Sequence, residues 1–402
     1  METSLPTEVA LTQHFKPLHF LIFAVIIILA GVLYYYFNSS LHFKSLGTLQ
    51  YDKQVATQIL KDPTSLVFTR NGALYIGTFS GAELVLAPSV EQFGQKEASF
   101  RISKSKNYIT WESDMGLVGL DVAKRNVFLI YSGEPRQSYD LSPAADYILF
   151  VTKADLIEAD LNSSNVKHRI SLPRLKSNKA LFNNIKYAPN GNLVYIRSIH
   201  ECCTEGSEDA IVDLVNKKVQ LLNSDFSDSV SLAPVWSPDS SKIFAWRPGK
   251  GLISYNLQTN IEEVTINENQ FSGLGPFMEN IDGNNFVYVT AKDLLNPSSS
   301  SSAKVYINPS LNLFDFSKSS SRVIIDSNTL NKRGVQGEIN DAGWVSGNQI
   351  WFAVREQQND RVWNIWTVSI DGSNMKKIIP STAQYSPTSS TVPVTRSYTL
   401  FK

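Results

Sequence analysis

Three stretches of this chain repeat one another at an interval that restricts its fold more than any other feature. They run from Asp140 to Val151, from Tyr187 to Ile196 and from Trp236 to Trp246, and their prolines, Pro143, Pro189 and Pro238, are spaced by 46 and 49 residues. In each, an aromatic or apolar residue ends one strand, proline sets φ near about −65°, Asp, Asn or Gly completes a tight turn, and an alternating apolar strand follows. A second strand pair comes after each hairpin: Ala154 to Leu161 with Val166 to Ser171, Ala210 to Leu214 with Lys218 to Leu222, and Gly251 to Leu257 with Ile261 to Ile266. Weaker copies at Leu66 to Ile76, Ser103 to Trp111, Ile281 to Val289 and Trp344 to Val354 bring the series to seven units.

Four strands per unit and a period of 40 to 50 residues predict an all-β chain closed radially as a seven-bladed β-propeller. Six or eight blades are also compatible, because the sixth unit is long and broken by serine runs at Pro297 to Ser302 and Ser317 to Ser321. Those runs lack apolar periodicity and are expected as surface loops. A ring of this kind needs a closing strand. Gln54 to Leu60 is the expected donor, with Val392 to Phe401 as the alternative.

Ahead of the repeats, Leu18 to Phe37 is twenty residues whose only clearly polar side chain is His19. At about 1.5 Å per residue this crosses a hydrocarbon core of about 30 Å. Thirteen of the positions are Leu, Ile, Val or Phe, and Tyr34, Tyr35 and Tyr36 end the run where an interfacial aromatic belt would lie. The run exceeds a signal-peptide core, and no small-residue cleavage site follows it. The expected organisation is a tail (1–17), one transmembrane helix (18–37), a linker (38–52) and a propeller domain (53–402), rich in Ser, Thr and Pro from about 381. Lys16, Lys44 and Lys53 give little charge asymmetry, so the default for one span before a large domain applies: a single-pass membrane protein with the propeller outside the cytoplasm.

The box from Trp236 to Trp246, also legible from Tyr187 to Ile196, resembles the repeats of TolB-like propellers. The same box occurs in propeller domains of the prolyl oligopeptidase and dipeptidyl peptidase group, and the resemblance spans roughly residues 60 to 380. Tail, span and propeller together look like a dipeptidyl peptidase without its hydrolase domain. No Gly-x-Ser-x-Gly elbow occurs, so peptidase activity is not implied.

Charge excludes one class of partner. Thirty-seven basic residues balance 37 acidic ones, leaving no global field for nucleic acid. Cys202 and Cys203 are adjacent and cannot staple distant segments; they suit either two ordinary thiols or a vicinal disulfide, and His200 and Glu201 beside them are weak candidates for a binding site, although a histidine in such a loop is more often an ordinary one. His168 lies in a polar strand edge. A zinc site on this loop would lack a fourth ligand.

Trp344, Trp351, Trp363 and Trp366 crowd the last unit. Trp344, Trp363 and Trp366 are weak candidates for a binding surface, although alternating tryptophans more often fill a blade core. Asn183, Asn184, Asp282, Asn340 and Asp341 precede or begin inner strands and could point inward to hold calcium in a lactonase or strictosidine-synthase-like hydrolase, yet such residues are also ordinary turn formers. Asn162-Ser-Ser fits a glycosylation acceptor. No catalytic constellation and no cofactor motif stands out. The expectation is a non-enzymatic platform that docks a protein or glycan partner in the cell envelope; a metal-dependent hydrolase and a structural subunit of a membrane complex are the alternatives.

Overall fold

The repeat boxes fold as tight connections between antiparallel strands. In the third copy, Ser240 N–H donates to the Ser237 carbonyl at 2.9 Å, and Lys242 N–H donates to Ser237 Oγ at 2.8 Å. Asp239 Oδ1 accepts from Ser237 Oγ and from Ser241 N–H at 2.6 and 3.0 Å. The fourth residue of the turn is left-handed, with φ of +60° at Ser240, +70° at Gly191 and +63° at Lys106.

This computed structural model describes Val25, Leu41 and residues 43–400 except 63–64, 71, 79–80, 90, 92–99, 133–138, 153–154, 173–180, 200–206, 223–233, 248–249, 268–272, 280–283, 296–304, 336–338, 347, 356–362 and 380–398. In chain order, β1 (Lys44–Thr48) and helix α1 (Lys53–Lys61) precede β2 (Ser65–Arg70), β3 (Ala73–Thr78) and β4 (Glu83–Ala87). Then come β5 (Arg101–Ile102), β6 (Tyr108–Ser113), β7 (Gly116–Asp121) and β8 (Asn126–Tyr131), followed by β9 (Tyr139–Leu141), β10 (Tyr147–Val151), β11 (Asp155–Asp160) and β12 (Val166–Ser171). The next two sets are β13 (Leu181–Tyr187), β14 (Leu193–Ile199), β15 (Ser207–Asp213) and β16 (Lys218–Leu221), and β17 (Val235–Trp236), β18 (Lys242–Arg247), β19 (Gly251–Asn256) and β20 (Ile261–Asn267). The last are β21 (Gly273–Glu279), β22 (Asn285–Leu295), β23 (Val305–Asp315) and β24 (Ser320–Ile325), then α2 (Ser327–Lys332), then β25 (Ile339–Ser346), β26 (Gln349–Arg355), β27 (Trp363–Ser369) and β28 (Lys376–Ile379), with β29 (Thr399–Leu400) at the end.

These strands form six four-stranded sheets and one five-stranded sheet, all antiparallel. Sheet I has the order β29-β2-β3-β4, and sheet II the order β5-β6-β7-β8-β1. Sheets III to VII take β9–β12, β13–β16, β17–β20, β21–β24 and β25–β28 in sequence. First strands of successive sheets lie against one another, β5 on β9, β9 on β13, β17 on β21, β21 on β25 and β25 on β29. The fold is an all-β propeller with the first strands innermost. Its core lies in the seams: Phe244, Phe286 and Phe314 between sheets V and VI, and Val287, Trp344, Phe352 and Trp366 between VI and VII.

A second repeated turn joins third to fourth strands. Asp121, Asp160, Asp213, Asn256 and Asp315 each end a strand and accept a backbone N–H two or three residues on, at 2.7 to 2.9 Å. The apolar residue after each, Val122, Leu161, Leu214, Leu257 or Phe316, donates its N–H back to the preceding hairpin of the same sheet. Four residues after the acceptor comes a left-handed residue: Arg125, Ser164, Lys217, Asn260 or Ser319. One side chain thus fixes the turn while the next residue plugs the sheet's end.

Ring closure differs from the expectation. Gln54 to Leu60 is not a strand but most of α1, and β29 supplies the first strand of sheet I, pairing Leu400 with Leu66 and Thr399 with Val67. The helix forms because Asp52 Oδ1 caps it, accepting from Gln54 and Val55 N–H at 2.8 and 3.2 Å, and because Ala56, Ile59 and Leu60 share one buried face. It stops at Asp62, held extended (ψ 129°) before Pro63.

The stretch expected as linker also contains structure. β1 adds a fifth strand to β8; Ser45 Oγ donates to Asn126 Oδ1, and Phe43 stacks on Phe128 at 5.2 Å. Gly119 makes room for that ring, since a Cβ there would lie 2.6 Å from Phe128 Cζ. Of the stretch 18–37 only Val25 is described, in helical conformation, so the expected span lies outside the described residues. Among the described residues no helix is long and apolar enough to cross a membrane.

Candidate functional site

Antiparallel meanders sort their connections by end. First-to-second and third-to-fourth connections emerge on one face of the propeller; second-to-third connections and links to the next sheet emerge on the other. The first face carries short turns such as 103–107, 142–146, 188–192, 237–241 and 257–260, and the second carries the long connections 88–100, 222–234, 326–338 and 380–398. Function on a rigid scaffold concentrates in such connections. His200, Glu201, Cys202 and Cys203 fall in the second-to-third connection of sheet IV, outside the described residues.

Buried charge is concentrated in sheets II to IV. Asp140, on β9, joins three sheets: its carboxylate pairs with Arg101 of β5, and its Oδ2 accepts Tyr187 N–H of β13 at 2.8 Å. Arg101 also lies 4.8 Å from the Tyr139 ring centre and keeps 35% of its side chain exposed. Burial pushes the nearby Glu112 carboxyl up, against the pull of Arg101.

On sheet IV a polar row crosses three strands. Asn184, Arg197 and Asp209 are register partners, all buried, at the end nearest the connection 200–206. Arg197 Nε lies 3.7 Å from Asp209 Oδ1, which accepts Tyr195 Oη–H at 2.6 Å. Of the calcium ligands that the hydrolase alternative would use, Asn184 is thus in the interior beside a cation, and Asn340 and Asp341 lie within β25. The side chains of Asn183 and the whole of Asp282 lie outside the described residues. Among the described residues no cluster of three His, Cys, Asp or Glu side chains could hold a metal.

A third group lies between sheets III and IV. Glu158 is 1% exposed, accepts Tyr187 Oη–H at 2.7 Å, and has Lys167 Nζ at 3.5 Å and His168 Nε2 at 3.6 Å from its other oxygen. Burial lowers the His168 pKa, opposed by Glu158 and assisted by Lys167 and Lys217. A folded-state pKa below the unfolded value of 6.5 favours neutral imidazole, so this residue's contribution to stability is present above that pH and is lost as pH falls through the folded value. Thermal melts between pH 7.5 and 5 are expected to show an acid-side loss that His168→Gln reduces; identical profiles would mean His168 is fully solvated.

Three of the four tryptophans sit inside rather than on a surface. Trp344, Trp351 and Trp366 are 1%, 3% and 8% exposed, and the Trp363 side chain lies outside the described residues. In sheet VII these three help fill the interior, since its middle strands are covered on both faces.

No protein-family model matches this chain, and no curated protein sequence matches it. Solved structures similar to it include an oligogalacturonate lyase in complex with manganese, at 10% identity and a TM-score of 0.55 over 83% of this chain and 85% of that one. Oligogalacturonate lyase from Vibrio parahaemolyticus is similar at 8% identity and a TM-score of 0.52, over 82% of this chain and 85% of that one. TolB from Acinetobacter baumannii is similar at 15% identity and a TM-score of 0.39, over 68% of this chain and 61% of that one. At 10% and 8% identity the likeness to the two oligogalacturonate lyases is one of fold alone, and the strand order is that of a β-propeller.

Proposed function

We propose that this protein is a non-catalytic docking platform in the cell envelope. In this reading each sheet is one blade, seven in all. Residues 18–37 anchor the chain in the membrane with the propeller outside the cytoplasm, and the face bearing the long connections engages a protein or glycan partner. The observation that carries the reading is the division of the connections. One face carries tight, self-capped turns together with α1, which enters β2 beside the turn 122–125, and the longest connections between strands lie on the other. The ion pairs beneath that face, Arg101 with Asp140 and Arg197 with Asp209, are matched in charge, which suits holding strands in place.

Crosslinking with mass spectrometry on native membranes tests it without presuming the ligand. Recurrent links from the connections 88–100, 222–234 or 326–338 to one other envelope protein are expected. Links from the short-turn face alone would reverse the choice of face. Turnover of an ester, lactone or uronate substrate by the purified protein, lost on a single substitution, would replace the platform with an enzyme.

A further inference from the structure

The outermost strand of a sheet offers backbone N–H and C=O groups on one side to any extended chain, and proteins guard such edges with cations, proline, shortness, bulges or cover. Sheet II is covered by β1. Sheet I ends in the five-residue β4, which lies against α1. β12 carries Lys167, His168 and Arg169, β16 is four residues long with Lys218, β24 carries Arg322, and β28 is four residues long with Lys376 and Lys377. β20 is different. Among the described residues it is the longest of the fourth strands, seven residues of sequence Ile261-Glu-Glu-Val-Thr-Ile-Asn, with neither a cation nor a proline. Its bulge near Thr265 is of a kind shared by β4, β12, β24 and β28.

This edge is also apolar and acidic. Ile261 and Val264 are 55% and 52% exposed, and Leu221 at the end of β16 is exposed on the adjoining rim, where Gln220 Nε2 donates to Asn260 Oδ1 at 3.1 Å. Glu262 is held by Arg247 and Lys250, and Glu263 is exposed.

We propose that the outer edge of β20 receives an extended, lysine- or arginine-bearing strand of a partner protein, paired antiparallel as β1 is on β8. The chain itself shows that an outer edge of this propeller takes such a strand: Lys44–Thr48 does so on sheet II, beginning with a lysine. Charge sets the occupant. A second copy of β20 would bring two exposed Glu263 carboxylates to one seam, Glu262 of each copy being already paired with Arg247 and Lys250, whereas a basic strand complements Glu263 and covers Ile261 and Val264. The edge lies on the rim and is independent of the choice between the two faces.

The test titrates the full-length protein with a labelled seven-residue peptide alternating lysine with valine or threonine, read by fluorescence anisotropy and amide hydrogen exchange. Saturable binding is expected, with slowed exchange confined to Ile261–Asn267. Glu263→Lys and Val264→Lys should each weaken binding at least tenfold, and Val323→Lys on β24 should leave it unchanged. Protection spread over other outer strands, equal binding of a glutamate-for-lysine peptide, or unaltered binding by both β20 variants would overturn the proposal. So would concentration-dependent dimerisation abolished by Val264→Lys, which would give the edge to a second copy.

Discussion

Asp209→Ala is expected to lower the unfolding free energy by about 3–5 kcal/mol, the range for removing one partner of a buried ion pair. The side chains of Arg197 and Asp209 are 3% and 0% exposed, so the substitution leaves a guanidinium in the seam between sheets IV and V facing a cavity instead of a carboxylate. Tyr195 loses its 2.6 Å acceptor at the same time. The double replacement Arg197→Met with Asp209→Leu separates the cost of a stranded charge from that of lost packing. It should recover most of the loss, because apolar residues of similar volume often substitute for a buried pair without penalty. Urea midpoints of the three proteins decide it; a single variant as stable as the parent would mean that water reaches Arg197.

Phe286→Ala should cost a similar amount, about 3–5 kcal/mol, for a different reason. Phe286 is fully buried, stacks on Phe314 at 4.9 Å, and lies 5.4 Å from Phe316, 5.8 Å from Tyr288 and 5.9 Å from Phe244. Removing its ring leaves a void among these four aromatic rings, where β-strand backbones on both sides limit collapse. Phe286→Leu keeps most of the volume and should cost less than about half as much. Hydrogen exchange should place the excess opening of the alanine variant in sheets V and VI, leaving sheets II to IV protected. Uniform acceleration would show that the ring unfolds as one unit instead.

The proline boxes locate the first hairpins of sheets III, IV and V because proline, Asp and Gly are visible punctuation. The hairpin at Leu66 to Ile76 is real, but it joins second to third strands, since the first strand of sheet I arrives from Thr399 and Leu400. No local signal marks that offset. The second turn, at Asp121, Asp160, Asp213, Asn256 and Asp315, has more copies than the proline box and escapes notice because none of its left-handed residues is glycine. An Asp or Asn ending an apolar run, followed by Val, Leu or Phe, was the available clue. In α1, Val55, Thr57 and Ile59 alternate like a strand; Asp52 before them and Pro63 after them mark a helix. The charged residues Glu158, Arg197 and Asp209 look like ordinary outward positions, since only cross-strand register shows that each has a partner inside the ring.

The pairing of Leu400 with Leu66 and of Thr399 with Val67 also makes assembly a matter of time. More than three hundred residues separate the two halves of sheet I. At about 5–20 residues per second of synthesis, the edge of β2 waits some tens of seconds for its partner. During that interval the nascent chain is an open arc whose free edge matches the last strand of every other copy being made beside it. Neighbouring chains on one messenger can therefore exchange their final strands, so crowded synthesis favours interlocked rings and slow, well-spaced synthesis favours single ones.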